Sequence, residues 1–372
     1  MARKTVPEAL GRSIAEFSPM TRRQLLMRAA AGPASVRILA TVAAAAVADT
    51  ASAAVAPPRT GMGIATTSIM TARKPHDTYE FLEYALSLGA GGIQAGISSM
   101  DPAYLKKLRA RLEQLGMYFE AMAALPKKED ASEFERAVEA ARVAGADVIR
   151  TACLGGRRYE NFADLRSWET FVTESVAAID RALPIVTRHR MPLAIENHKD
   201  WTAQELADIM KNKSSEYLGV CLDTGNNIAL LDAPMAAIET LAPYALSTHV
   251  KDMGVEPYAD GFLLSEVPLG EGIIDLKQTV ELLRNSRPKV HFTLEMITRN
   301  PLEVPCLTDK YWATFPERNG KYLADTLRLV RNAQKRLQPL PRVGHESRSG
   351  LLQLEQENVQ ASLHYARVRL GI

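Results

Sequence analysis

The sequence predicts an α/β chain closed into a (β/α)8 TIM barrel. Eight short strand-like apolar runs alternate with helix-like stretches between residues 61 and 336. That span of about 276 residues is close to the ~250 typical of such a barrel. No Gly-x-Gly-x-x-Gly follows the first run, which disfavours a doubly wound dinucleotide-binding sheet. The first strand is read over 61–69. Phe81, Leu82, Ala85 and Leu88 then recur at helical spacing over 77–88, and Gly89 is placed to cap that helix. Strand 92–97, helix 103–115, strand 117–125 and helix 131–144 follow, then strand 146–154, helix 164–188 and strand 191–197. The remaining strands are expected at 217–223, 244–250 and 289–295, and the remaining helices near 202–212, 234–241, 275–285 and 319–336.

Residues 1–53 read as an address rather than as fold. Arg22-Arg23 stands ahead of Leu25-Leu26, a short Ala/Val-rich segment covers 38–47, and Ala51-Ser52-Ala53 offers a small-residue cleavage site. This resembles a twin-arginine signal peptide, which implies the twin-arginine export machinery as a partner and a periplasmic mature protein. The apolar segment is shorter than the about 20 residues a membrane span needs, so no stable span is expected in the mature form. Removing residues 1–53 takes away seven basic and three acidic side chains, turning the formal charge from +2 to −2. With no Lys/Arg stripe to follow a phosphate backbone, nucleic acid is not an expected partner. Cys153, Cys221 and Cys306 are widely spaced and odd in number, suggesting buried fillers rather than disulfides or a metal knuckle.

Function in a barrel gathers at the C-terminal ends of the strands. The expected fifth strand ends in Glu196, the sixth in Asp223, the seventh in His249 and the eighth in Glu295. Four consecutive strands thus deliver one metal-capable side chain each at the same end. Three carboxylates and one imidazole form a hard, oxygen-rich set that favours one divalent ion, Mn²⁺, Mg²⁺ or Co²⁺, and is also compatible with Zn²⁺.

The motifs Ile195-Glu196-Asn197-His198, Cys221-Leu222-Asp223-Thr224-Gly225-Asn226, His249-Val250-Lys251-Asp252, Pro268-Leu269-Gly270-Glu271-Gly272-Ile273-Ile274-Asp275 and Leu294-Glu295-Met296 follow one another in order. Together they resemble the xylose-isomerase-like superfamily of sugar phosphate isomerases and epimerases over residues 61–336. The resemblance implies that Glu196, Asp223, His249 and Glu295 are the metal ligands. It also implies that Glu196 and Glu295 move a proton from and to carbon, beside a carbonyl or hydroxyl pair polarised by the ion. Ketose 3-epimerases tend to carry histidine three residues after the strand-six aspartate, where this chain has Asn226, so a simple ketose epimerisation is not the automatic reading.

Further residues follow from position. His198 lies two beyond Glu196 and Lys251 two beyond His249, so each is expected on the side of its ligand and near the substrate oxygens. Asn226 completes the expected substrate contacts at strand six. Asn197 and Lys199 are expected to cap the next helix or to face solvent, and Glu120 and Arg150 are weaker site candidates. The long segment after strand eight, with Arg299, Tyr311 and Trp312, is read as a loop lid in which Arg299 and Trp312 meet a sugar face. Residues 337–372 lie beyond the expected barrel and hint at an amphipathic helix, a packing arm or homo-oligomer contact.

The leading expectation is an exported, metal-dependent sugar isomerase or epimerase acting on a carbohydrate or cyclitol. The alternative is a lyase or dehydratase on a keto-sugar, keto-glycoside or inosose, which begins with the same proton abstraction. An endonuclease IV-like phosphodiesterase is disfavoured because the chain has seven histidines, two of them, His345 and His364, outside the expected barrel. A non-catalytic sugar-binding barrel is disfavoured by the intact set of four candidate ligands.

Overall fold

The computed structural model describes residues 58–69, 73–334 and 338–372; the export signal read at 1–53 lies outside them. The strands in chain order are β1 (Gly63–Ala65), β2 (Gly92–Gly96), β3 (Tyr118–Met122), β4 (Val148–Thr151), β5 (Leu193–Glu196), β6 (Leu218–Asp223), β7 (Ala245–His249), β8 (Asp252–Tyr258), β9 (Gly261–Val267), β10 (Thr293–Leu294) and β11 (Leu302–Val304). The helices are α1 (Thr78–Ser87), α2 (Pro102–Leu115), α3 (Ser132–Val143), α4 (Arg158–Asn161), α5 (Leu165–His189), α6 (Ala203–Lys213), α7 (Pro234–Leu241), α8 (Leu276–Ser286), α9 (Asp309–Trp312), α10 (Gly320–Ala333) and α11 (Arg348–Tyr365).

Eight parallel strands run in the order β10, β1, β2, β3, β4, β5, β6, β7. The ring is joined by a bridge between Val250 and Leu294, where the Val250 N–H donates to the Thr293 carbonyl at 2.7 Å. Outward residues such as Ile93, Phe119, Ile149, Ile195 and Leu222 belong to the large core shared with the helices. Val148, Ala194 and Cys221 form a separate small apolar cluster inside the barrel. Strands buried on both faces read as near-continuous apolar runs, which is why the expected runs and these strands coincide.

Local signals set the helix starts. Asp77, Asp101, Asp164 and Asp275 each accept a backbone N–H from the first turn of the helix they precede. Thr202 and Glu205 form a reciprocal capping box at α6. α2 ends at Gly116, whose φ of 59° suits a residue without a Cβ.

The structure departs from the sequence reading at the end of the barrel. The strand expected over 289–295 is only Thr293–Leu294, and the run 61–69 divides into β1 and a 3-10 turn at Thr66–Ile69. β8 and β9 form an antiparallel hairpin that the sequence reading did not anticipate, closed where Tyr258 pairs with Gly261. β11 adds to β9 as a third strand, so the segment expected as an irregular loop contains a strand and the helix α9. α10 packs on this small sheet, against β8 and β9. α11 lies against β10 and the Thr66–Ile69 turn, and its 366–370 continuation meets α8. The C-terminal residues therefore occupy the outer position between the last and first barrel strands. Among the described residues no helix is long and apolar enough to cross a membrane.

Candidate metal centre

The strand register assembles the centre. Asp223 on β6 pairs directly with His249 on β7, and Glu196 pairs with Cys221, two residues before Asp223 and on the same face. Glu295 follows β10 and donates its N–H to the Val250 carbonyl across the closing bridge. One ligand atom from each of Glu196, Asp223, His249 and Glu295 lies within 4.8 Å of the others, and all four residues are buried. This cluster could hold a metal ion.

The donor set fits a cation on an observation of its own. The His249 Nδ1 is buried and accepts or donates no hydrogen bond, yet it faces Glu196 Oε1 at 3.3 Å, Glu295 Oε2 at 3.5 Å and Asp223 Oδ2 at 3.7 Å. Its other nitrogen, Nε2, lies 2.5 Å from Gln94 Oε1 on β2. Because an amide oxygen only accepts, Nε2 carries a proton, so Nδ1 is the atom that faces the carboxylates, as a second N–H or, once that proton gives way to a cation, as a lone pair. Burial lowers the affinity of this imidazole for a proton, but Cys221, Glu295 and Asp223 outweigh it and lift the pKa to about 10. The spot draws positive charge.

A second tier holds the ligands in place. Gln94 Nε2 donates to Glu120 Oε2 at 2.8 Å, and Ser247 donates to the same oxygen at 2.7 Å. Burial raises the pKa of Glu120. Asp223 Oδ1 accepts the N–H groups of Gly225 and Asn226 at 2.9 and 2.8 Å. Burial opposes ionisation of Asp223, yet Lys251 and His249 hold its pKa down at about 2. Thr67 donates to Glu295 Oε1 at 2.7 Å, and Glu196 pairs with Arg150 and accepts from Asn226 Nδ2 at 3.1 Å. Outer-tier partners of this kind are worth about 10- to 100-fold in metal affinity. Gln94→Leu is therefore expected to weaken Mn²⁺ binding by about that factor in a calorimetric titration, since the imidazole loses the bond that fixes its tautomer. Unchanged affinity would contradict the role given to Gln94.

The structure brings most of the sequence-derived residues to this cluster. The Lys251 ammonium lies 2.5 Å from Glu295 Oε2 and 3.0 Å from Asp223 Oδ2, and bonds Asn226 Oδ1 at 3.1 Å. His198 stands half-buried at the end of β5, with Nδ1 3.0 Å from the Leu154 carbonyl. A carbonyl cannot donate, so Nδ1 carries the proton and Nε2 is left as an acceptor. Burial, reinforced by the Lys199 cation, depresses this imidazole to about 3, so it is a neutral hydrogen-bonding group rather than a proton donor. Arg299 grips Glu266 through two bonds, at 3.2 and 2.7 Å, and Glu266 lies 3.6 Å from Lys251, so Arg299 reaches the cluster through one intermediary. The structure does not bring Trp312 to the cluster. Its indole donates to the Cys306 carbonyl at 2.9 Å and packs edge-on against Tyr311, because β11 and α9 fold the expected lid segment onto itself.

Asn197 and Lys199 differ from expectation, since Thr202 rather than either of them caps α6. Asn197 instead ties β5 to β6, accepting the Asp223 N–H at 2.8 Å and donating to the Asp223 carbonyl at 2.8 Å. Lys199 is buried and bonds Asn226 Oδ1. Gln94, Thr67 and Glu266 were not anticipated. Gln94 was findable as the one polar side chain in Gly-Ile-Gln-Ala-Gly, since a polar group inside a buried strand requires a partner.

The chain is 27% identical over 221 residues to a 3-oxo-isoapionate decarboxylase of Pectobacterium atrosepticum, covering 58% of this chain and 75% of that one. The structure resembles D-psicose 3-epimerase from Clostridium cellulolyticum H10 with a TM-score of 0.54 at 14% identity, over 83% of this chain and 99% of that one. It also resembles a probable 3-DHS dehydratase of petrobactin synthesis from Bacillus anthracis, with a TM-score of 0.50 at 15% identity, over 83% and 99% of the two chains. These structural likenesses concern the fold. Residues 82–332 match a family described as xylose isomerase-like TIM barrel, and with the barrel and its ordered strand-end motifs that match makes this chain a member of the family.

Proposed function

We propose that the protein is a divalent-metal-dependent isomerase or epimerase that moves a proton at a carbon of a carbohydrate or cyclitol. The observation that carries this reading is the unpartnered Nδ1 of His249 facing three carboxylates at the C-terminal mouth of the barrel. Glu196, Asp223, His249 and Glu295 would hold the ion, Mn²⁺, Mg²⁺ or Co²⁺ by their oxygen-rich character, with Zn²⁺ also compatible. When bound, such an ion polarises a substrate carbonyl or hydroxyl pair and acidifies the neighbouring C–H.

The chain's own groups supply the rest. Glu196 and Glu295 each present a buried carboxylate, one to remove the proton and one to return it. Burial opposes ionisation of Glu295, but His249 and Lys251 outweigh it and keep its pKa well below the ordinary range. It is therefore ionised, the form needed to accept a proton. Lys251 offers a fixed positive charge to a substrate oxygen, and the bare Nε2 of His198 can accept from a hydroxyl. Asn226 orients both Glu196 and Lys251 through its two amide atoms.

A lyase on a keto-sugar or related acid is the second reading, supported by the sequence similarity to a decarboxylase. The test is deuterium incorporation in D₂O, followed by NMR, over a panel of free ketoses, aldoses, inososes and oxo-acids with the Mn²⁺-loaded chain. Deuterium at one carbon of recovered substrate or its epimer is the expected result. Loss of CO₂ or water as the sole outcome would favour the lyase, and no reaction across the panel would contradict both.

For residues 1–53 the proposal is delivery to the periplasm by the twin-arginine machinery. Joint replacement of Arg22 and Arg23 by lysine is expected to retain the chain in the cytoplasm, and normal delivery would refute this.

A further inference from the structure

Lys199 is 3% exposed, and its ammonium bonds Asn226 Oδ1 but has no carboxylate within 4.0 Å among the described residues. It uses one of its three donors. A lysine is almost never buried unless paired, and this one is held in an unfavourable backbone as well, with φ of 61° in the left-handed region. Non-glycine residues held there cost on the order of 1–3 kcal/mol and cluster at ligand sites. Burial, followed by repulsion from Lys251, lowers the Lys199 pKa to about 7. The position is thus unfavourable for the protein alone and would be relieved by an anion.

The charges around it point the same way. Four carboxylates, on Glu196, Asp223, Glu295 and Glu266, are linked by contact to the cations of Arg150, Lys251 and Arg299. Lys199 joins them through Asn226 as a fourth cation. With His249 neutral, as it would be on a bound ion, and Lys199 protonated, these four cations balance the four carboxylates, so the ion's own two positive charges would stand in excess. Buried excess charge is costly. A neutral sugar could offset one charge by ionising a hydroxyl, whereas a substrate that also bears one carboxylate offsets both.

We propose that Lys199 is a substrate-specificity residue that pairs with a carboxylate, so that the substrate class is an acidic sugar, an aldonate or oxo-aldonate, rather than a neutral one. This inference rests on the metal-dependent reading above and narrows its substrate.

The test is calorimetric binding to the Mn²⁺-loaded chain of a panel of C4–C6 aldonates and 2- and 3-oxo-aldonates, each beside its neutral ketose or alditol and beside ketose phosphates. At least one carboxylate is expected to bind tenfold or more tightly than its neutral counterpart. Lys199→Gln should abolish that preference at unchanged Mn²⁺ content, and Lys199→Arg should restore most of it. No carboxylate preference anywhere in the panel, a stronger preference for phosphates, or a preference that survives in Lys199→Gln would overturn the proposal. Mn²⁺ content separates this from failure of the broader reading: a chain that takes up no metal contradicts the metal centre, whereas a loaded chain without carboxylate preference contradicts only the role of Lys199.

Discussion

Glu295→Gln and Glu196→Gln are each expected to lower turnover by about 10²- to 10⁴-fold, the contribution of a positioned acid or base. The substitution keeps shape and one oxygen but removes the negative charge that accepts the proton. For Glu295 the surroundings sharpen the effect, because Lys251 at 2.5 Å and Thr67 at 2.7 Å are arranged to bind an anion. For Glu196 the amide would face the Arg150 cation, so some weakening of metal binding is expected together with the loss of turnover. Steady-state kinetics on whichever substrate shows deuterium exchange, with metal content measured on the same samples, separates the two effects. Metal-loaded variants with near-normal turnover would remove both glutamates from proton transfer.

His249→Ala is expected to abolish stoichiometric metal binding and, with it, the stabilisation that metal gives. For the wild-type chain, a metal concentration of 100 times Kd adds about 2.7 kcal/mol to the unfolding free energy by mass action. Urea denaturation with and without Mn²⁺ should show that increment for the wild type and none for the variant. Nδ1 is the atom equidistant within a few tenths of an ångström from all three carboxylates, at 3.3, 3.5 and 3.7 Å. Without it the three anions are left with Lys251 beside Asp223 and Glu295 and Arg150 beside Glu196, and the cluster loses its one nitrogen ligand. Equal Mn²⁺ stabilisation in both proteins would place the ion elsewhere.

The parts of this centre that sequence disclosed are those where two periodicities coincide. β5, β6 and β7 are buried on both faces, so each reads as an apolar run, and the ionisable residue that ends it stands out: Glu196, Asp223, His249. β10 is only two residues long, yet the apolar run read over 289–295 still places Glu295 at its end, and Leu294-Glu295-Met296 continues the ordered set of motifs. The hairpin of β8 and β9 was missed although Asp260-Gly261 marks its turn, because Pro257 and the mixed pattern on either side hide the alternation of a strand. That omission also concealed Glu266, the link between Lys251 and Arg299.

Lys199 illustrates a different limit. In an extended segment it would point away from Glu196 and His198, and the sequence reading accordingly placed it at a helix cap or in solvent. Its positive φ turns the side chain inward instead, and nothing in Asn197-His198-Lys199-Asp200 announces that turn. Trp312 shows the converse. An aromatic after the last strand suits a sugar face in principle, but its indole is committed to the Cys306 carbonyl once β11 pairs with β9.

The central claim is that Glu196, Asp223, His249 and Glu295 form one metal centre, and elemental analysis of the purified chain by inductively coupled plasma mass spectrometry tests it most directly. One equivalent of Mn, Mg, Co or Zn per chain in the wild type, lost in His249→Ala, is the predicted result. No metal in the wild type after incubation with each of these ions, or one equivalent retained in His249→Ala, would contradict it.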